Sequence, residues 1–361
     1  MAEEKTKAPA FEAGEAIYDA TKLGTPRMVI LGLQHMFAMF GATVLVPLIT
    51  GLDVSTTLLF AGLGTLLFHF ITKMKVPAFL GSSFAFLGSM GAAFAGASTV
   101  ALGYLGLILG AAFAGLVYVI IAVVVKFVGV KWINKLMPPV VIGPTVAIIG
   151  LSLAGNAVGD LQKSNVEGGN TLIAIICGLV TLITVTLCST YGKKMTKLIP
   201  FIIGILAGYV VATIFTVIGN ATGNDALKII NFAPITALWA NGVDFGTFVS
   251  VPEFTFLTAI KGVKEIDGAY IGTIAAAYIP VAFVVFAEHV ADHKNISSII
   301  ERDLLEKPGL HRTLLGDGVG SMVGAIFGGC PNTTYGDSVA CVAITRNASV
   351  VTITTTAIMA I

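Results

Sequence analysis

Two pairs of side chains that could transfer protons or bind metal lie in a mostly apolar part of the sequence. Glu288 and Asp292 are four residues apart, and His289 and His293 repeat that spacing one position later. Residues four apart share one face of a helix. The carboxylates could take up and release a proton, whereas the histidines have the spacing that metal ligands adopt on a helix.

Two other segments combine polar residues with helix-breaking residues in apolar surroundings. The segment Pro331-Asn-Thr-Thr-Tyr-Gly-Asp337 contains a proline, a glycine and several polar side chains, and Pro77-Ala-Phe-Leu-Gly-Ser-Ser-Phe84 has the same character. At membrane depth, irregular backbone persists only where it is buried in protein or lines a cavity. We therefore predict short broken helices or strands in spans 3 and 10, where each segment begins a half-helix whose N-terminal amides can face a ligand.

Other polar and small residues in apolar stretches have structural interpretations. Asp317 lies close to a predicted loop, and we expect it to be a solvated residue at a helix end. His35 and His69 are expected to be hydrogen-bonded residues of the core. Glycines spaced four apart predict close helix packing, because small residues let helices approach each other in lipid. These glycines are Gly106, Gly110, Gly316, Gly320, Gly324 and Gly328.

The composition identifies the environment of these residues. Of the 361 residues, 56% are hydrophobic and 11% are charged. A soluble domain of this size has too little interior to bury so much apolar surface. Soluble enzymes, disordered chains and nucleic-acid-binding proteins are therefore excluded, and a net charge of +1 does not attract a nucleic acid. The sequence predicts an all-α polytopic membrane protein.

Uncharged runs mark the membrane spans, because a crossing helix needs about 20 mostly apolar residues. The runs predict ten spans and the start of an eleventh, after a polar tail over residues 1–26. Loops alternate between the two sides, and 17 of the 21 lysines and arginines fall on the side of the N-terminus. Because cytoplasmic loops are enriched in these residues, we predict a cytoplasmic N-terminus and a location in the cytoplasmic membrane.

Two parts of the sequence resemble each other at a fixed offset. The dipeptide Gln34-His35 is similar to Glu288-His289, which lies 254 residues later. The same offset of 254 residues separates Ser83 from Asp337. Seven spans separate the two copies, and an odd number inverts the second copy in the membrane. Inverted repeats with broken helices are typical of secondary transporters. We expect a binding site between spans 1, 3, 8 and 10.

Two other functions would use the same polar residues. An intramembrane metalloenzyme could use His289 and His293, but their order is not that of a zinc protease helix, and no third ligand is evident. A channel could line its pore with polar residues, although broken helices at repeat-related positions favour a carrier. The four cysteines show no zinc or disulfide pattern. We expect no enzymatic activity, no cofactor and no resident metal ion.

Five motifs can be compared with known sequences. They are Leu33-Gln-His-Met-Phe-Ala-Met-Phe-Gly-Ala-Thr-Val-Leu-Val-Pro47, Leu80-Gly-Ser-Ser-Phe-Ala-Phe86, Ala287-Glu-His-Val290, Pro308-Gly-Leu-His-Arg312 and Pro331-Asn-Thr-Thr-Tyr-Gly336. Together they resemble the nucleobase–ascorbate transporter family, and most closely its bacterial uracil permeases. The match runs from about the first span to the end of the chain.

The resemblance implies fourteen spans in two inverted sets of seven, divided into a core domain and a gate domain. Residues 27–125 and 268–361 would belong to the core domain, residues 136–220 to the gate domain, and residues 221–267 to an extracellular loop region. The chain is then expected to be part of a longer transporter, because the second repeat would end at roughly residue 474 by the repeat offset.

The resemblance also implies proton-coupled symport of a nucleobase by alternating access of the core against the gate. Uracil is the expected substrate, with xanthine or another purine as the alternative. Protons and membrane lipid are the other expected partners, and a homodimer is compatible with the resemblance. A carboxylate can accept from a ring N–H of uracil, and half-helix amides can donate to its carbonyls.

By position, the resemblance assigns roles to seven residues. Glu288 corresponds to the substrate-binding carboxylate, Asp337 to a second acidic contact, and Glu288 with Asp292 to the proton-coupling groups. The remaining expected substrate contacts are Phe84 and Gly336, through their backbone amides, together with Tyr335 and Ala42. The sequence departs from the uracil permeases at two of these positions, where the relatives usually carry Glu in place of Asp337 and some carry His in place of Asp292.

Overall fold

The computed structural model describes residues 17–136, 138–164, 166–192, 196, 200–240, 242 and 252–361. Residues 1–16 of the predicted tail and residues 243–251 of the predicted extracellular region lie outside the described residues. The described chain is mostly helical, as the composition predicts. Its helices are α1 (Thr25–Thr50), α2 (Val54–Ile71), α3 (Leu87–Ala95), α4 (Val100–Val128), α5 (Lys131–Leu136), α6 (Pro139–Leu161), α7 (Thr171–Tyr191), α8 (Pro200–Thr222), α9 (Ala233–Ala240), α10 (Thr255–Gly262), α11 (Gly268–Ile299), α12 (Leu310–Ile326), α13 (Gly336–Thr345) and α14 (Val350–Ala360). Its strands are β1 (Leu80–Ser82) and β2 (Asn332–Thr334).

Six of the described helices are long and apolar enough to cross a membrane, by length and composition. They are α1, α2, α4, α7, most of α8, and α11. Several other predicted spans are formed by shorter helices, namely α3, α12, α13 and α14. The third and tenth predicted spans each contain a short strand before the helix, so neither has the 20 helical residues of a simple crossing.

Local sequence explains where the principal helices begin and end. Helix α1 ends at Gly51, whose φ of 73° is a left-handed conformation that glycine adopts without strain. Asp53 then caps α2 by accepting a hydrogen bond from the backbone N–H of Thr56 at 2.7 Å. Asp267 caps α11 in the same way, with the N–H of Tyr270 at 2.7 Å.

The described contacts divide the chain into two compact units. The first contains residues 1–147 and 252–361, and the second contains residues 148–251. In the second unit, α7 and α8 pack against each other through a small apolar cluster that includes Ala174, Cys177 and Ala212. The Thr216 hydroxyl accepts hydrogen bonds from the N–H groups of Ile229 and Ile230, which anchors the segment after α8.

Strands β1 and β2 form a two-stranded antiparallel sheet within the first unit. Leu80 pairs with Thr334, Gly81 with Thr333, and Ser82 with Asn332. Strand β1 packs on α1 and α2, and β2 packs on α11 and α12. All six strand residues are buried, so the sheet is enclosed by protein, as irregular backbone at membrane depth must be.

The helices around this sheet approach each other closely at glycines. A Cβ atom added to Gly320 of α12 would lie 2.9 Å from Leu80 and 3.4 Å from the backbone oxygen of Gly64 in α2. A Cβ on Gly110 of α4 would lie 2.3 Å from the ring of Tyr278 in α11. The packing interpretation of the glycine pattern is therefore confirmed at these positions.

The structure places Glu288 and Asp292 well inside α11. The sequence puts them at the cytoplasmic end of the eighth span, because the uncharged run stops there, but the helix continues to Ile299. Lys294 consequently lies on the same helix and not in a loop. Polar residues therefore interrupt the uncharged run without ending the helix.

Candidate functional site

The candidate site is built where the two strands lead into short helices beside α1 and α11. A 3₁₀ turn over Phe84–Phe86 follows β1 and leads into α3, and Tyr335 follows β2 and leads into α13. The turn packs against α11, and α13 packs against both α1 and α11. The two segments predicted to be irregular are thus both an extended strand followed by a helix start.

Asp292 and Gly336 lie next to each other at the start of α13. The Asp292 side chain is 7% exposed. Its Oδ2 atom accepts a hydrogen bond from the Thr334 hydroxyl at 3.1 Å. A Cβ atom added to Gly336 would lie 3.8 Å from Asp292 Oδ1. The structure therefore brings together a residue expected to couple protons and a residue expected to contact the substrate.

Tyr335 connects the start of α13 to α1. The backbone N–H of Ala42 donates to the Tyr335 hydroxyl at 2.8 Å. Asp337 follows Tyr335 by two residues, in the first turn of α13. A Cβ atom on Gly81 would lie 3.4 Å from the Tyr335 ring, so the ring packs directly on β1. Two of the predicted site residues, Ala42 and Tyr335, are thus joined directly, and Asp337 lies in the adjacent helical turn.

The N-terminus of α13 is open toward this region. Tyr335 is its N-cap residue, and no side-chain hydrogen bond caps this described helix start. Gly336 is exposed, and Asp337 is half-buried in the first turn. Asp337 is therefore not the N-cap residue itself. The first amides of a helix lack intrahelical partners, and the helix dipole favours a negative charge at this end.

Glu288 lies half-buried on the face of α11 that it shares with Asp292. It is within electrostatic range of both Asp292 and Asp317. Among the described residues, no lysine or arginine forms an ion pair with Glu288. Phe84 is half-buried in the turn that packs against α11. Both residues thus lie on elements that surround the start of α13.

Asp317 is the residue that the sequence interpretation missed. It was expected to be solvated at a helix end, but it lies inside α12 and is 1% exposed. Its Oδ2 atom is 2.6 Å from His289 Nδ1 and 3.3 Å from the hydroxyl of Thr333, which donates to it. The flanking glycines were the available signal, because residues on a closely packed helix face are buried with it.

The histidines of α11 are held in the interior by hydrogen bonds. His289 Nε2 is 3.0 Å from the Thr313 hydroxyl, so both of its ring nitrogens have partners. His293 Nδ1 donates to the backbone oxygen of His289 at 2.8 Å, and the two rings stack with centroids 4.0 Å apart. Within the described residues no group of three potential metal ligands is present. His289 therefore orients Asp317, and His293 packs against His289.

The two histidines outside this helix also have core roles. His69 Nδ1 is 3.0 Å from the Thr354 hydroxyl, and its Nε2 donates to the backbone oxygen of Ala78 at 3.2 Å. His35 is 1% exposed and lies 3.5 Å from the Ser338 hydroxyl. The prediction of hydrogen-bonded core histidines is confirmed for His69, and His35 is likewise buried beside a polar partner.

Sequence comparison relates the chain to a known group of membrane proteins. Residues 26–361 match the permease family (Xan_ur_permease). The chain is 39% identical over 335 residues to the uracil permease of Bacillus caldolyticus, covering 92% of this chain and 70% of that protein. It is 36% identical over 347 residues to the uracil permease of Bacillus subtilis, with the same coverage. The uracil permease of Escherichia coli K12 is 36% identical over 317 residues, which cover 88% of this chain and 65% of that protein.

A solved structure supports the fold. The transmembrane domain of the cyanobacterial bicarbonate transporter BicA superimposes with a TM-score of 0.60 over 96% of this chain and 83% of that chain. The sequences are 14% identical, so the likeness concerns the fold alone.

Proposed function

This chain belongs to the permease family, and on that premise we propose that it transports a nucleobase, uracil, across the cell membrane. Membership of this family makes it a multi-pass membrane transporter and not an enzyme. The observation that carries the choice of substrate is its similarity, at 36–39% identity, to proteins named uracil permeases. The site geometry is consistent with it.

The proposed site offers uracil one partner for each of its polar groups. The base is neutral and planar, with N–H donors beside carbonyl acceptors. The Glu288 carboxylate would accept from a ring N–H, and the open amides at Gly336 and Phe84 would donate to the carbonyls. Tyr335 and Asp337 would line the opposite side of the base, with the Tyr335 hydroxyl held by the hydrogen bond that it accepts from the Ala42 N–H. An analogue that lacks one group would leave a buried partner unpaired, which disfavours its binding.

We further propose that the cluster of acids couples transport to protons. Asp292 lies within electrostatic range of Glu288, Asp317 and Asp337, and Glu288 lies within range of Asp317. Four negative charges close together in a water-poor interior repel each other, so the cluster is suited to hold a proton and release it when the surroundings change. Glu288 and Asp292 are the proposed coupling groups, because Asp292 contacts the strand–helix junction where the base would bind.

The proposed mechanism is alternating access between a core and a gate domain in a fold of two inverted repeats. The sheet register supports this repeat, because Leu80 and its partner Thr334 are separated by the same 254 residues as Gln34 and Glu288. Adding this offset to α2 gives residues 308–325, close to α12 (Leu310–Ile326). We propose residues 27–125 and 268–361 for the core and residues 136–220 for the gate, with a cytoplasmic N-terminus.

Direct binding of radiolabelled bases to the purified protein tests the proposed substrate. Uracil, thymine, xanthine and urate should be compared, together with a thermal-shift measurement for each. We expect uracil to bind and to stabilise the protein more than either purine does. Stabilisation by xanthine but not by uracil would assign the chain to purine transport.

A further inference from the structure

A cavity lies within the first unit, lined by residues other than those of the proposed substrate site. Its volume is about 570 Å³, within the usual size range of small-molecule pockets. It is lined by the residues that follow α2, by the turn after α11, by the start of α14, and by Tyr18 and Asp19 near the N-terminus. None of the seven proposed substrate and coupling residues lines it.

The cavity wall combines charges of both signs with an apolar side. The basic residues are Lys75, Arg302 and Lys307, and the acidic residues are Asp19, Asp303 and Glu306. The apolar side includes Met74, Ile300 and Val350. A wall with three positive charges, three negative charges and an apolar side matches a zwitterionic, amphipathic molecule.

These charged groups do not neutralise each other. Among the described residues, no ion pair joins any two of the six. Arg302 lies over the Tyr18 ring, 4.0 Å from its centroid. Asp19 and Asp303 are held by hydrogen bonds from the backbone of the turns that they begin. Three of the six charged side chains, those of Asp19, Arg302 and Asp303, are thus oriented by neighbouring groups.

The turns around the cavity hold an unusual backbone conformation. Four described non-glycine residues have positive φ; one of them lines the cavity, two are next to lining residues in the chain, and the fourth lies two residues before a lining residue. They are Lys73 (58°), Met74 (54°), Glu301 (53°) and Arg346 (55°). This left-handed conformation is unfavourable for residues with a side chain, and such strain concentrates at ligand-binding sites.

We propose that this cavity binds the headgroup of a phospholipid that carries both a phosphate and a primary ammonium group, as phosphatidylethanolamine does. The lysines and Arg302 would bind the phosphate, and the acids would accept hydrogen bonds from the ammonium. The adjoining surface is apolar and exposed, with Phe70 81% and Met74 48% exposed. A lipid can place its acyl chains there, whereas a free phosphoethanolamine cannot use that surface.

The test measures lipid-dependent stability of the delipidated, detergent-solubilised protein. Phosphatidylethanolamine, phosphatidylcholine and phosphatidylglycerol are titrated separately, and free phosphoethanolamine is the arm without acyl chains. The variants are the double substitution Lys75→Gln with Lys307→Gln, and the single substitution Glu306→Gln. Lys22→Gln is the matched control, because Lys22 is exposed near the N-terminus and does not line the cavity. Circular dichroism and gel filtration verify folding.

We expect phosphatidylethanolamine to raise the melting temperature more than the other two lipids, and free phosphoethanolamine to leave it unchanged. The double variant should need at least about tenfold more of this lipid for the same effect, since each of its two lost charge-assisted contacts corresponds to roughly a tenfold change in affinity. The Glu306→Gln variant should be stabilised equally by phosphatidylethanolamine and by phosphatidylcholine, because the phosphatidylcholine headgroup has no N–H donor for Glu306 to accept from. Equal effects of the three lipids, an unchanged response in the double variant, or full stabilisation by phosphoethanolamine would each overturn the proposal.

Discussion

At the residue scale, the proposed substrate site depends on carboxyl groups that the chain keeps away from cations. Within the described residues, Asp292 is hydrogen-bonded to Thr334 and Asp317 to His289, and neither forms an ion pair with lysine or arginine. A carboxylate clamped by arginine would be held in one charge state and geometry. Hydroxyl and imidazole partners orient these acids and leave them able to change their protonation.

Glu288→Gln tests the proposed substrate contact. Glutamine has nearly the same shape but cannot provide a charged acceptor. We expect the variant to fold and to bind uracil more weakly by about 1.5–3 kcal/mol, the usual contribution of a hydrogen bond to a charged group. Equilibrium binding of labelled uracil measures this, with Glu265→Gln as a control because Glu265 bonds to Ser98 and Thr99, away from the site. Unchanged uracil affinity would remove Glu288 from the site.

Substitutions of Asp337 distinguish a contact with the ligand from a purely structural role at the start of α13. Asp337→Asn should weaken uracil binding by about 1–3 kcal/mol, because a charged acceptor is lost. Asp337→Glu should keep the affinity, since it retains the carboxylate. Binding isotherms for both variants measure the difference. If Asn binds uracil as well as the wild type does, Asp337 serves only the helix terminus.

Asp317→Ala tests the buried network that the sequence interpretation missed. The substitution leaves the Nδ1 atom of His289 and the Thr333 hydroxyl without their partner. We expect a loss of about 1–3 kcal/mol in the free energy of unfolding, because each group remains buried and unpaired. A melting experiment measures it, with the exposed Asp160→Ala as the control. A melting temperature equal to that of the control would show that the network contributes no stability.

At the scale of elements, close helix contacts hold the sheet in place. Gly115 of α4 faces Gly318 and Met322 of α12, and Gly320 faces Gly64 of α2. Helix α12 therefore packs closely on both neighbours, and β2 packs against α12. The position of the strands is consequently determined by how closely the helices approach, and small residues set this distance.

Gly115→Ala tests this dependence. Its new Cβ would lie 2.4 Å from the Met322 side chain and 2.8 Å from the Gly318 backbone oxygen, so α4 or α12 must move. We expect a loss of about 1–3 kcal/mol in stability from overpacking, measured as a lower melting temperature. Gly91→Ala is the matched control, because its Cβ would meet no atom within 4 Å. Equal melting temperatures for the two variants would contradict the packing account.

The sequence predicts which secondary-structure elements form better than it predicts the residues at which they begin and end. Hydropathy predicts the helical membrane class, and the proline and glycine residues predict irregular backbone at residues 77–84 and 331–337. Strand pairing was not predicted, because it depends on two segments far apart in the chain and on the helices that enclose them. The burial of Asp317 was missed for a similar reason, since its partner His289 lies on another helix.

At the scale of the whole molecule, the orientation in the membrane follows from the distribution of positive charge. We predict that Lys22 faces the cytoplasm and Asp225 the exterior. In cells that express Lys22→Cys or Asp225→Cys, a membrane-impermeant maleimide should label only the Asp225→Cys variant until the cells are permeabilised. The wild type, with its own four cysteines, gives the background. Labelling of Lys22→Cys in intact cells would reverse the orientation.

The pairing of β1 with β2 has a consequence for biosynthesis. The ribosome must add about 250 residues between them, which takes roughly 12–50 s at common elongation rates. During that interval the backbone groups of Gly81 and Ser82 are inside the membrane without their strand partners, an unfavourable state. The N–H of Leu80 does not depend on the second strand, because it donates to the nearby Thr65 hydroxyl at 2.9 Å. A nascent chain that stops before residue 332 therefore leaves the β1 backbone without the strand that satisfies it in the full sheet.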